Sequence, residues 1–331
     1  MRTRKEIRDN VAETAREDNI NSLIEDYINL SIQEVNNPAW AFEQIGIRGY
    51  DHKWTFNRRK YSFSTVATTE SYILPRDLDS IALVRQETTP SKVKFLPDEV
   101  FYRLVPKPSD SSGTPLYYRI WEEEGVSTRL STDDKVKIVS SSASDTSSYN
   151  VSVVGYDSTG IIRSEVITLN GITAVDGTII WDSGRPLHIS KSTKTNGKIT
   201  VTEYTAGTTL LVMGEEDRSP RFKIISLYPI PSAAITIYVE YFTRLRNLTN
   251  DSDVPDLDEK WIWIIRLGAL AKVREYQNKP DYQVYQKMFA DAVRSMVKSD
   301  MQNVDYIPYL TSRHNIGESF MDRMLGDWSV S

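Results

Sequence analysis

The chain has no cysteine in its 331 residues. Disulfide cross-links, thiolate nucleophiles and cysteine-ligated metals are excluded, and intracellular synthesis is the natural expectation. No apolar run approaches the roughly 20 residues that a membrane-spanning helix needs. The opening MRTRKEIRDNVAE is basic but lacks the apolar stretch of a signal peptide. Positive charge is not in excess: 40 Lys and Arg face 45 Asp and Glu, a formal net charge of −5. A protein that holds nucleic acid by neutralising phosphates is more basic than this. Histidine is scarce, and His52, His188 and His314 have no ligand-type spacing, so they read as surface or turn residues. There is no G-x-S-x-G, no P-loop and no Rossmann glycine pattern. Asp251, Asp253, Asp256 and Asp258 lack the glycine and terminal glutamate of a calcium loop, and fit an acidic approach to a helix N-terminus. The expectation is a protein that is not an enzyme, with no cofactor and no metal.

What is present begins with Asp258–Lys298, which reads as a helical hairpin. Asp256 or Asp258 can cap the first helix. Trp261, Ile262, Trp263, Ile264, Ile265, Leu267, Leu270 and Ala271 make that helix apolar on nearly every side, so it must be covered all round, by the chain itself or by a neighbouring subunit. Gly268 in its interior marks a close-packed partner. The second helix carries one stripe, Tyr282, Tyr285, Phe289, Ala292 and Met296, and leaves Asp281, Lys287, Arg294 and Lys298 for solvent. Two further helices are expected at the start, over Thr3–Ala15, with Thr3 and Glu6 as a capping box, and over Asn19–Val35.

From Lys60 the apolar period changes to two. Strands are expected at 61–64, 71–74, 79–86 and 116–122, with a brief helix after Pro97. Glu122–Glu124 reads as a solvated face. Between Val126 and Arg221 the composition shifts to Ser, Thr, Val, Ile and Gly. Short strands are expected at 135–139, 150–156, 161–169, 178–181, 187–190, 198–204 and 208–213, separated by Gly- and Asn-containing turns. That pattern indicates an antiparallel sandwich of immunoglobulin-like type. Arg221–Tyr228 and Ala234–Phe242 are longer strands expected to pair with those preceding the sandwich, which makes the sandwich an insertion. The fold class is therefore α+β: a helical bundle of N- and C-terminal helices, a small antiparallel β domain and an inserted sandwich. The expected division is 1–125 with 221–299, then 126–220, then an extended arm over 300–331. The arm has no sustained period yet bears Tyr306, Tyr309, Phe320, Met321 and Trp328.

Three stretches resemble phage head-to-tail adaptors, also called connectors or head-completion proteins. They are Asp26–Val35 leading to Trp40; FSTVATTESYILPRDLDSI at 63–81 followed by SGTPLYY at 112–118; and Val254–Tyr276 with the Tyr-rich helix after it. The resemblance implies a virion protein of the neck between capsid and tail, synthesised in the host cytoplasm. It implies a homo-oligomeric ring of twelve subunits, a portal protein above, tail or nozzle proteins and tail fibres as further partners, and a channel through which DNA passes without specific binding. In such a ring Trp261, Trp263, Ile264, Leu267 and Gly268 would pack between subunits. Tyr306, Tyr309, Arg313, Phe320, Met321, Arg323 and Trp328 of the arm would reach the portal. Two alternatives stand beside it: a tail or decoration protein whose sandwich binds fibres or host-surface carbohydrate, and a hydrolase of cell-wall glycans, which would need paired carboxylates.

Overall fold

The structure is a computed structural model describing residues 2–16, 20–87, 92–104 and 111–302. Its helices are α1 (Arg4–Ala15), α2 (Asn21–Asn36), α3 (Ala39–Glu43), α4 (Asp98–Leu104), α5 (Ile262–Tyr276) and α6 (Tyr282–Gln302). Its strands are β1 (Arg58–Ser64), β2 (Ser71–Ile73), β3 (Leu78–Gln86), β4 (Lys92–Phe95), β5 (Ser112–Gly113), β6 (Tyr117–Glu124), β7 (Val136–Ser140), β8 (Asn150–Tyr156), β9 (Ile162–Thr168), β10 (Val175–Asp176), β11 (His188–Lys191), β12 (Ile199–Glu203), β13 (Thr209–Met213), β14 (Phe222–Tyr228), β15 (Ile230–Pro231) and β16 (Thr236–Thr243). The chain is mixed α+β with a β-rich body. The described residues divide into two compact units, a helical one (up to Asn57 and from Leu245 on) and a sheet one (Arg58–Arg244). Compactness therefore groups the strands flanking the expected insertion with the inserted segment rather than with the helices.

In the helical unit, α1 starts on the expected capping box. The Glu6 amide donates to Thr3 Oγ1 at 3.3 Å and the Thr3 amide donates to Glu6 Oε2 at 3.0 Å. Ile7, Val11 and Ala15, four residues apart, are buried on its inner face, as are Ile24, Ile28, Ile32 and Val35 of α2. The cover that α5 requires comes from within the chain, since α1, α2 and α6 all pack on it. Gly268 is the point of closest approach: a Cβ there would lie 2.7 Å from both Phe289 Cζ and Ser31 Oγ. Asp258 caps the short turn ahead of α5, with the Lys260 amide donating to Oδ1 at 3.3 Å, while Asp256 pairs with Arg246. On α6 the stripe is wider than the expected one, because Val293 and Val297 are buried beside Phe289, Ala292 and Met296. Arg294 does not point to solvent. It is half-buried, and its guanidinium reaches the Ala41 carbonyl and the Asp291 carboxylate. Helix α6 runs to Gln302, so residues 300–302 are helical rather than part of an extended arm.

In the sheet unit a seven-stranded sheet has the order β1-β16-β3-β4-β6-β14-β2. The expected pairing holds: β14 lies between β6 and β2, and β16 between β1 and β3. The chain leaves this sheet at Glu124 and re-enters at Phe222, which are direct partners in the β6–β14 ladder. Between them a four-stranded sheet, β10-β7-β12-β13, and a three-stranded sheet, β11-β8-β9, enclose one apolar core. Residues 178–181 do not form the expected strand; β10 lies at 175–176 instead, and Trp181 is fully buried through bridges to Asp134 and Asp157. Glu124 is not on a solvated face either. It is fully buried and accepts from the Leu187 amide at 2.7 Å, the Gly125 amide at 3.2 Å and Arg129 Nε at 2.8 Å. Burial pushes its carboxyl up from the ordinary range, against those hydrogen bonds.

Candidate functional site

The chemistry-bearing surface of the helical unit is an aromatic groove beside the α5–α6 turn. Proline-containing Asn36-Asn37-Pro38 ends α2 and starts α3, which brings Trp40 back over α6. Its ring lies 5.1 Å from that of Phe289, and its Nε1 donates to the Glu34 carbonyl at 2.9 Å. Tyr27, Leu30, Tyr276 and Tyr282 complete the walls of a cavity of about 350 Å³. Leu30 is 42% and Tyr276 58% exposed, so the groove presents apolar surface to solvent. Lys272 donates to Glu34 at 2.5 Å and stands 5.2 Å from the Phe289 ring centre, so it is neutralised as well as stacked. Burial raises the Tyr27 phenol, with Glu275 adding to the effect, so it stays a neutral hydrogen-bonding group. An aromatic groove whose one cation, Lys272, is paired with Glu34 and whose wall also carries Glu275 can hold an apolar side chain of a partner.

A second feature lies where α6 ends. Tyr50, His52, Trp54 and Phe56, at alternate positions running into a 3-10 turn at Thr55–Asn57, follow Phe42 in a chain of rings with neighbouring centres 4.0–6.3 Å apart, stacked except for His52, which meets Trp54 edge-on. His52 Nε2 lies 2.9 Å from Asp300 Oδ2, which also accepts from the Thr55 amide at 3.1 Å; Thr55 Oγ1 donates to Oδ1 at 2.5 Å. Both side chains are nearly buried. Burial alone would raise the Asp300 carboxyl, but the bonds from His52 and Thr55 outweigh it and hold the carboxyl below its ordinary range. His52 is thus a buried clasp, not a turn residue. Its signal in the sequence was the alternation of rings from Tyr50 to Phe56, but its partner lies 248 positions away. The groove had a weaker signal, since Phe289 reads only as one residue of the stripe on the second hairpin helix.

The residues expected to pack between subunits fall into two groups. Ile264, Leu267 and Gly268 are buried among the chain's own helices, whereas Trp263 is 42% exposed and Trp261 half-buried. Tyr306, Tyr309, Arg313, Phe320, Met321, Arg323 and Trp328 lie outside the described residues, as does His314. His188 sits at the entrance to the two-sheet segment with Arg221 Nη1 at 2.6 Å, and burial followed by that cation holds its imidazole below the ordinary value. Among the described residues no group of His, Asp and Glu is arranged to hold a metal, and no helix is long and apolar enough to cross a membrane. The four aspartates before α5 serve as turn anchors: Asp251 pairs with Arg8 at 3.0 Å, and Asp253 accepts from the Thr249 and Asn250 amides at 2.8 Å.

No curated protein matches the chain. Among solved structures, a mutant VP2 protein of infectious bursal disease virus shares 8% identity at a TM-score of 0.13, covering 77% of this chain and 55% of that one. Likeness so slight has no bearing on the fold. Residues 175–312 match the model of the SU10 adaptor protein family, a stretch that includes β10–β16, α5 and α6, and this supports a structural protein of the phage virion, of adaptor type.

Proposed function

We propose that the chain is a ring-forming head-to-tail adaptor that docks beneath the portal, joins it to the tail and leaves a channel for DNA. The observation that carries this is the position of the family match, which takes in the α5–α6 hairpin singled out by its apolar excess and runs on to residue 312. In this reading residues 1–125 and 221–299 form the adaptor body, and 126–220 is an immunoglobulin-like insertion. The ring is a head-to-tail contact that closes by rotation. Trp263, with Trp261 beside it, is its anchor on the hairpin, since Ile264, Leu267 and Gly268 already have partners within the chain. The segment after α6 carries Tyr306, Tyr309, Arg313, Phe320, Met321, Arg323 and Trp328 to the portal. Aromatic anchors of this kind cost about 2 kcal/mol or more each when truncated, and a ring of arms multiplies their effective concentration.

The test is electron microscopy of the purified protein mixed with portal, comparing the full chain with one ending at Gln302. The cut belongs there, because ending the chain before Asp300 would also remove the His52 clasp. Rings seated on portal are expected for the full chain and lost for the shortened one. Equal seating of both would refute the arm's role, and no ring in either would refute the adaptor reading. The insertion is tested by replacing 126–220 with a short turn: Glu124 and Phe222 are adjacent in one ladder, so the helical circular dichroism should survive.

A further inference from the structure

Strand β9 is an edge of the three-stranded sheet and is unusually apolar for one. Its sequence from Ile161, IIRSEVIT, has no lysine and no proline, and the two charges that would repel a like strand, Arg163 and Glu165, are of opposite sign. Ile162 and Val166 are 65% and 64% exposed on its outer face, and Ile161, just before it, is 53% exposed. The ladder to β8 sets which backbone groups are free. The Asp157 amide donates to the Ile161 carbonyl and the Leu169 amide to the Tyr149 carbonyl, both at 2.9 Å, so odd-numbered residues turn their backbone toward β8. The even-numbered Ile162, Ser164 and Val166 turn theirs outward.

We infer that this edge pairs with β9 of a second copy of the chain, antiparallel, about a two-fold axis through Ser164. In that register Ile162 faces Val166 of the other copy, and Val166 faces Ile162, on the outer face. Arg163 faces Glu165, and Glu165 faces Arg163, on the inner face. Ser164 meets Ser164 with its amide and carbonyl directed across the axis, as hydrogen-bonded pairing requires. Neighbouring registers lose this match. Centring on Glu165 or on Arg163 opposes like charges, centring on Val166 leaves both charges facing apolar residues, and centring on Ile162 sets Arg163 against Ile161 and Glu165 against Thr159 beyond the strand. Arg163 also bonds Asp157 at 3.1 Å, and Glu165 accepts from the Thr178 amide and hydroxyl at 2.6 and 2.8 Å and from the Ile179 amide at 3.4 Å. The intermolecular pairs therefore extend an existing charge network. The contact is isologous and joins copies two by two; it cannot propagate a ring and does not rest on the adaptor reading.

The absence of native cysteine makes the test direct. In the full-length protein, Ser164→Cys should give a disulfide dimer under mild oxidation, since the paired Cα atoms would be about 5.5 Å apart, inside the range of roughly 4.4–6.8 Å that a disulfide spans. Ser190→Cys, on the far strand β11 of the same sheet, is the control; the Ser164 variant should cross-link about tenfold faster or more, as held pairs do over random encounters. Ile162→Lys introduced with Ser164→Cys should bring the rate down to the control's while leaving the melting temperature unchanged. Equal rates for the two single-cysteine proteins would overturn the inference. So would a wild-type chain that sediments as monomer at every concentration.

Discussion

The two units bury polar groups in different ways. The helical unit is closed by aliphatic and aromatic side chains, with Asp300 as its buried carboxylate among the described residues. The two-sheet segment of the sheet unit closes around an apolar core too, yet its turns are organised by buried ionisable groups: Asp134, Asp145, Glu203 and Lys191. Asp145 accepts from Ser140 Oγ at 2.6 Å and from the Asn196 and Gly197 amides at 2.8 and 3.0 Å. Lys191 Nζ donates to Thr195 Oγ1 and to the Gly214 and Glu215 carbonyls at 2.5–2.7 Å, and burial holds its ammonium below the ordinary value. The cause is backbone supply. Helices satisfy their own amides except at the ends, whereas short strands linked by many turns leave amides and carbonyls that side chains must cap. A helical unit is therefore most sensitive to packing, and a turn-rich one to the loss of single polar side chains.

The largest effect should come from Phe289→Ala, expected to cost about 3–5 kcal/mol because it empties the space shared by Trp40, Gly268 and Lys272. Denaturant melts of the full chain followed by helical circular dichroism would measure it. Gly268→Ala should cost about 1–3 kcal/mol by overpacking. Part of that, the share due to Phe289 and not to Ser31 Oγ, should vanish in a Phe289→Leu background, because the two sites share one contact. If the costs add instead, the close approach does not govern the packing.

In the sheet unit, Asp145→Ala should cost about 1–3 kcal/mol by leaving turn amides unpaired without creating a large cavity. Near-ultraviolet dichroism should report the loss while the helical signal holds. Asp300→Asn tests the same idea in the helical unit, with a pH signature. The native carboxyl titrates below its unfolded value, so its contribution is present above the ordinary carboxylate range and is lost as pH falls through the folded value. The variant should lose about 1–3 kcal/mol at neutral pH, and its melting temperature should fall less steeply in acid than the wild type's. Parallel acid limbs would refute the clasp.

The smallest stability change is expected from Trp263→Ala, about 1 kcal/mol, because 42% of its surface already faces solvent and only the covered part loses its packing. Its effect should appear instead in ring formation, counted by mass photometry. A variant that assembles as well as the wild type would remove Trp263 from the proposed subunit contact.

Much of this was determined by the sequence alone. The Thr3–Glu6 capping box, the stripes of α1 and α2, the all-round apolarity of α5 and the period-two strands are local patterns, and each arises from side chains within one turn or one strand of each other. That the two strands after the sandwich pair with those before it was legible too, from their alternation; the order of the sheet was not. Tertiary structure decided which apolar residues the chain itself uses. It took Ile264, Leu267 and Gly268 into the helical core and left Trp263 outside, since three helices can cover most but not all of a cylinder. It made Glu124 an interior acceptor and His52 the partner of Asp300, and it replaced the strand expected at 178–181 by two bridges at Trp181. In each case the partner is remote in the chain, so no window of sequence contains both halves of the interaction.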